Sequence, residues 1–287
     1  MTSEMKETPS VSGRGTSSRE TSSMGTLSVQ LYTFRDAYAA DPDGTLERLA
    51  GLGFRFVEPF AVGSAGQPGT EHLKRARALK RSLDAAGLQS PSAHVGAPIG
   101  EHADAVLDAI ETLGVQRGVI SWPGEVPGFE RDVTSTLAGT CRFAEALNTA
   151  AANMAGRGLH LGFHNHWWEW TILENGKSAY DTLLELLDPA VFMELDVYWA
   201  QAAGQNPERL LAALGQRAQL LHLKDGPAVP DLPQLPLGQG RVDNLAAIRA
   251  APWVKWHVLE MDSTDGDVFA EVVASAGTLI GAGVSAW

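Results

Sequence analysis

Residues 159–170, LHLGFHNHWWEW, place His164 and His166 two positions apart at the end of a short apolar run, with Glu169 three beyond. The same phase recurs along the chain. VFMELDVYW brings Glu194 and Asp196, LLHLKD brings His222 and Lys224, and VKWHVLEMD brings Glu260. Earlier runs offer Gln30 and Tyr32 in LSVQLYTFRD, Glu58 in FRFVEP and His94 in SPSAHV. In a strand every second side chain shares a face, so each set points one way. A buried carboxylate or imidazole without a partner is costly. Groups this numerous, in phase at run ends, must pair with one another or hold a cation. Asp196, His222 and Glu260 come from three consecutive runs, and an Asp/His/Glu set suits one divalent ion, Mn, Mg, Co or Zn. The competing reading is a hydrogen-bonded polar cluster with no ion.

The elements that must position these groups follow from the apolar pattern. Runs begin near Leu27, Phe54, Leu88, Val115, Leu159, Val191, Ala218 and Val254. They lie roughly 30 residues apart, the length of a strand–helix–strand unit. Gly53, Gly87, Gly114 and Gly158 each precede a run, where a left-handed cap ends a helix. Between runs the period is helical: Leu137, Cys141, Ala144, Leu147, Ala151 and Met154 form one face, and Val268, Val272, Ala276 and Leu279 another. Eight such units predict an α/β fold, a (β/α)8 TIM barrel over residues 26–287, with the chemistry at the C-terminal ends of its strands. A doubly wound open sheet would usually carry a Gly-rich loop after the first strand, and none follows LSVQLYTFRD.

Composition narrows the function classes. The chain has 287 residues, with 22 basic against 34 acidic, a net charge of −12 that disfavours nucleic acid and an anionic membrane surface. One cysteine, Cys141, excludes an intrachain disulfide framework and any multi-cysteine metal site. No run of membrane-spanning length is present. Residues 1–25 are rich in Ser, Thr and charge, read as a disordered tail, and lack the apolar segment of a secretion signal, so a cytoplasmic location is expected.

Taken in order, LSVQLYTFRD, GLGFRFVEP, SAHV, HNHWWEW, LDVYWA, LHLKD, PLGQG and VLEMD resemble the xylose isomerase-like barrel superfamily. The resemblance is closest to its sugar phosphate isomerase/epimerase proteins with an His-Asn-His motif, and covers about residues 27–285. It implies a TIM barrel, one divalent metal, and isomerisation, epimerisation or dehydration of sugars or polyols in carbohydrate metabolism. It places metal ligands at Asp196, His222 and Glu260. The epimerases carry a fourth ligand, a glutamate, on the fifth strand, and alignment puts Gly162 there. His164 is then the expected fourth ligand, with Glu169 the other candidate. Loss of that glutamate favours a different base, as in elimination from a keto-sugar.

The chemistry so implied is proton removal beside a carbonyl through a metal-stabilised enediolate. His166 and Glu169 are the expected bases, and Glu260 is the expected acid/base ligand. Lys224 donates a proton to the departing oxygen, fixes a hydroxyl, or pairs with Glu194 or Glu58. Glu58, His94 and Trp199 are expected to contact substrate. Trp167, Trp168, Trp170 and Trp199 suit the C–H faces of a sugar or pack the rim. The loop PLGQGRVD is expected to border the substrate, stiffened by Pro227, Pro230, Pro233 and Pro236. Few arginines near the strand ends point to an unphosphorylated sugar or polyol. The reading admits a homo-oligomer. Two rival functions share the barrel: an apurinic-site endonuclease and a sugar-binding barrel without turnover.

Overall fold

A computed structural model describes residues 24–287. Of the expected tail, residues 1–23 lie outside the described residues, and Gly25 is already the first residue of a strand. Eight parallel strands, β1 (Gly25–Gln30), β2 (Val57–Glu58), β3 (Ala93–His94), β4 (Arg117–Ile120), β5 (His160–His164), β6 (Phe192–Asp196), β7 (Ala218–Leu223) and β8 (Trp256–Leu259), are joined in the order β2-β1-β8-β7-β6-β5-β4-β3. Bridges Phe56↔Gln89 and Val62↔Val95 link the flanks of β2 and β3, which nearly closes the circle. A short β9 (Ser285–Ala286) adds to the lower end of β1. The molecule is therefore a TIM barrel.

An outer helix follows each strand: Pro42–Gly51, Gly69–Ala86, Ala103–Leu113, Leu137–Ala155, Ala179–Leu186, Pro207–Leu214, Asn244–Ala250 and Val268–Gly281. Side chains of Asp41, Thr136, Ser178, Asn206, Asp243 and Asp267 accept from first-turn N–H groups, so most of these helices begin where a capping residue stands. Gly87 and Gly114 end two of them in the left-handed conformation, at φ +71° and +74°. Helix Leu137–Ala155 is rotated slightly from the expected face. Phe143, Thr140 and Ala150 are buried with Ala144, Leu147 and Met154, while Leu137, Cys141 and Ala151 are half-buried. The large Phe143 ring sets the inward direction by its greater apolar area. No helix among the described residues is long and apolar enough to cross a membrane.

Inside the barrel the layers change character along its axis. Val119, Phe192, Leu220 and Val258 form an apolar plug, packed on by Trp256. Two residues further along β6, β7 and β8, the inward positions become Glu194, His222 and Glu260. The apolar plug thus forms the floor on which the polar cluster stands.

Candidate functional site

The strand phase brings the ionisable groups to one place. His164, Asp196, His222 and Glu260, from the ends of β5, β6, β7 and β8, are buried and offer ligand atoms that all lie within 4.8 Å of one another. His164 Nε2 stands 3.7 Å from Asp196 Oδ2, and His222 Nδ1 is 2.6 Å from Glu260 Oε2. Asp196 starts the short helix Val197–Ala202, and its Oδ1 accepts the Trp199 N–H at 2.8 Å. Its Oδ2 is left facing the cluster, buried and without a well-formed hydrogen bond, although Lys224 Nζ is 3.0 Å away. A buried carboxylate oxygen balanced by an ammonium but without a hydrogen bond, in a two-nitrogen, two-oxygen donor set, fits a divalent cation.

Beneath lies a second shared group, His94, His164, Glu194 and His222. Glu194 Oε2 is 2.8 Å from His94 Nε2, 3.1 Å from His164 Nδ1 and 3.2 Å from His222 Nε2. Glu58 Oε2 accepts from His222 Nε2 at 2.7 Å and from Gln30 Nε2 at 2.9 Å, and Ser92 Oγ donates to Glu58 Oε1. Glu58 is fully buried below the imidazoles. The expectation that Glu58 contacts substrate is corrected on this ground: it touches His222 and His94, and nothing in the cavity above.

Lys224 holds Asp262 at 2.8 Å, Glu260 at 2.8 Å and Asp196 at 3.0 Å. Its partners are therefore different from the expected Glu194 or Glu58. Burial alone would discharge Lys224, but Asp196, Asp262 and Glu260 outweigh it and hold the ammonium well above its ordinary range. Burial opposes the charge on His222 as well, and Glu194, Glu260 and Glu58 override it upward. Glu260 resists burial through Lys224 and His222 and stays well below the usual carboxylate range. For Asp196 burial wins, lifting it to about 6 despite Lys224 and His222. His164 is lowered to about 3 by burial and by His222 beside it.

A cavity of about 480 Å³ opens above the cluster. His94, His164, His166, Glu260 and Asp262 reach its base, and Trp122, Trp167, Trp168 and Trp199 wall it. His166 lies flat on Trp168, ring centroids 4.1 Å apart at 9°, and Arg131 covers that indole at 4.3 Å from the ring centre. Burial, with His164 and Lys224 nearby, takes the His166 pKa well below its ordinary value, so the ring is neutral at neutral pH. Glu169 is placed elsewhere. It has no exposure, does not line the cavity, and its Oε2 accepts the His166 backbone N–H at 2.8 Å. It closes the turn that carries His166, which corrects its expected place as a base or ligand. Burial pushes its carboxyl up to about 8. Trp170 also turns away and stacks on Tyr180 at 4.5 Å.

Two further differences have steric causes. A Cβ on Gly162 would meet the Phe192 ring at 2.2 Å, so no glutamate fits there; Gly162 lies in the apolar layer and His164 is the fifth-strand residue at the height of the cluster. The loop after β7 borders the cavity through Asp231, Leu232 and Gln234 and not through PLGQGRVD, which wraps a buried carboxylate instead. Asp262 escaped sequence reasoning although it follows Glu260 in the same phase. Glu125 and Arg131 sit in the irregular loop after β4, where no periodic signal exists.

The chain matches the family model described as xylose isomerase-like TIM barrel over residues 46–278. No curated protein matches it. Among solved structures it is similar to a sugar phosphate isomerase/epimerase from Parabacteroides distasonis, with 22% identity, 91% of this chain and 95% of that chain covered, and a TM-score of 0.68. It is also similar to a D-psicose 3-epimerase crystallised in the presence of D-fructose, at 13% identity, 90% and 98% coverage and a TM-score of 0.59. An AP endonuclease of family 2 from Brucella melitensis gives 17% identity, 88% and 99% coverage and a TM-score of 0.62.

Proposed function

This chain belongs to the xylose isomerase-like TIM barrel family, and from that premise we propose that it is a divalent-metal-dependent enzyme acting on an unphosphorylated sugar or polyol. The reaction is isomerisation, epimerisation or dehydration, each begun by removing a proton from a carbon beside a carbonyl, which a polyol substrate would carry as a keto group. The observation that carries this reading is the convergence of His164, Asp196, His222 and Glu260 beneath an aromatic-walled cavity. These four residues would hold the ion. A bound Mn, Mg, Co or Zn ion would supply Lewis-acid stabilisation of the charge that develops on the carbonyl oxygen.

The protein's own groups do the rest. His166, neutral and facing the cavity, takes the carbon-bound proton as general base. The Glu169 carboxyl and the stacked Trp168 ring fix the turn and the plane of His166. Lys224 carries a proton on Nζ within reach of Glu260 and Asp262, both of which line the cavity. It delivers that proton, directly or through Asp262, to an oxygen that leaves or is reprotonated. Trp167 and Trp199, 4.4 Å apart, present apolar faces to the C–H faces of a sugar and exclude water. His94 reaches the cavity from below and contacts a substrate hydroxyl.

Metal analysis of the purified protein tests the reading. One equivalent of a divalent ion is expected in the native chain, and its loss is expected in Asp196→Ala. A metal-free native chain that still turns over a sugar, or an Asp196→Ala variant with full metal, contradicts it.

A further inference from the structure

The imidazoles of His164 and His222 each face two ways. His164 turns Nε2 toward Asp196 Oδ2, at 3.7 Å, and Nδ1 toward Glu194 Oε2, at 3.1 Å. His222 turns Nδ1 toward Glu260 and Nε2 toward Glu58 Oε2, at 2.6 and 2.7 Å. Two overlapping donor groups result, and one imidazole does not serve both with lone pairs. A neutral ring has one N–H and one bare nitrogen, so the partner of one nitrogen decides what the other offers.

We infer that Glu194, with Glu58 beside it, is a positioning residue: it holds the inner nitrogens of the two histidines, His164 Nδ1 and His222 Nε2, so that the opposite nitrogens, His164 Nε2 and His222 Nδ1, face the upper group. The inference rests on the ligand set proposed above and deepens it. Three observations carry it. Glu194 and Glu58 have no exposure and reach nothing in the cavity, so neither contacts substrate. A carboxylate is an acceptor only, and Glu194 Oε2 meets three imidazole nitrogens, His94 Nε2 closest at 2.8 Å. Glu58 is in turn held by Ser92 Oγ and by Gln30 Nε2, whose amide is fixed because Gln30 Oε1 accepts the Tyr32 N–H. The lower group is thus a hydrogen-bonded floor in which every imidazole donates; in the upper group His164 Nε2 is the free imidazole nitrogen, while His222 Nδ1 shares a proton with Glu260 that an incoming ion would replace. Such a partner behind a ligating histidine orients the ring and raises its basicity, and its removal costs roughly 10–100-fold in metal affinity.

The test has two arms. Nitrogen-15 NMR of histidine-labelled, metal-free native protein reads the tautomers directly. His164 is expected as the Nδ1–H form with Nε2 bare; an Nε2–H form overturns the inference without reference to any variant. Titration with Co²⁺ then reads affinity, stoichiometry and the visible spectrum of the bound ion in native protein, Glu194→Gln and Glu58→Gln. One ion per native chain is expected, with affinity lower by about 10–100-fold in Glu194→Gln and an altered cobalt spectrum, because a neutral amide oxygen is a weaker acceptor than a carboxylate and no longer raises the basicity of the rings. Two ions per chain, or native affinity and spectrum in Glu194→Gln, overturn it. A flat titration of the native protein contradicts the ligand set itself, and is told apart from failure of the positioning role by the tautomer measurement.

Discussion

Asp196 divides its two oxygens, one capping the helix that begins at Val197 and one left to the cluster. Glu169 is a different case, fully buried and bonded to the His166 backbone N–H rather than facing the cavity. Burial raises its pKa from the ordinary carboxylate value to about 8. It is therefore protonated when folded and ionised when unfolded across the neutral range, and folding takes up a proton. Stability from this group is fully present below the unfolded pKa and is lost as pH rises through the folded one. Glu169→Gln, which keeps an acceptor for the His166 N–H, removes that dependence. The variant is expected to melt close to native protein near pH 5 and above it beyond about pH 8, read by denaturation at several pH values. A native protein that gains stability relative to the variant on going to high pH contradicts the assignment. Asp196, His222 and Glu260 were legible in the sequence because strand phase alone puts them on the inner face. The different duties of His166 and Glu169, three residues apart, were not, since the turn between them is set by a backbone hydrogen bond that no periodicity encodes.

Among the elements, the loop after β7 is built around Asp225. Its carboxylate accepts from Gly226, Gly238, Gly240 and Val242 N–H at 2.8, 2.8, 3.0 and 3.0 Å. A Cβ on Gly240 would meet Gly226 N at 2.1 Å, so the backbone crossing demands glycine there. Asp225→Ala leaves buried donors unpaired, at about 1–3 kcal/mol for each such group, and is expected to be severely destabilising in urea titration. Asp225→Asn retains one acceptor oxygen and should fall between. An Asp225→Ala midpoint unchanged from native would show the loop to be held by other contacts. Sequence reading found the strands and their glycine stops because burial and backbone conformation leave local marks. It put Gly162 at ligand height because register depends on where β5 stands against β6, and the Phe192 ring that fills the space beside Gly162 is a contact across strands. The salt bridge to Glu194 or Glu58, one of the alternatives open for Lys224, is replaced by contacts to Asp196, Glu260 and Asp262, which only the packing of β7 between β6 and β8 brings to it.

For the whole molecule, the polar cluster stands on an apolar plug inside a barrel that folds around it, so an ion held there stabilises the folded chain by mass action. At about 100 times its dissociation constant a ligand adds roughly 2.7 kcal/mol. For a chain of this size that corresponds to a rise in Tm of about 5–10 °C. Thermal melts with Mn²⁺ or Co²⁺ against chelator are expected to show such a rise, and none in Asp196→Ala. Equal melts with ion and chelator would locate the ion elsewhere or nowhere. The net charge of −12 belongs to the same scale. It opposes a DNA backbone, and abasic plasmid is expected to remain uncut by the metal-loaded protein, however similar the barrel is to an endonuclease.

The account rests on proton removal from a carbon beside a carbonyl, and solvent exchange sees that step. Metal-loaded protein in deuterium oxide, given a panel of unphosphorylated ketoses and keto-sugars and read by mass spectrometry after quenching, is expected to place one deuterium at the carbon of at least one of them. His166→Ala is expected to keep its metal and to exchange about 10²–10⁴-fold more slowly. Exchange at the native rate in His166→Ala, or no deuterium in any sugar of the panel with the metal site full, would contradict it.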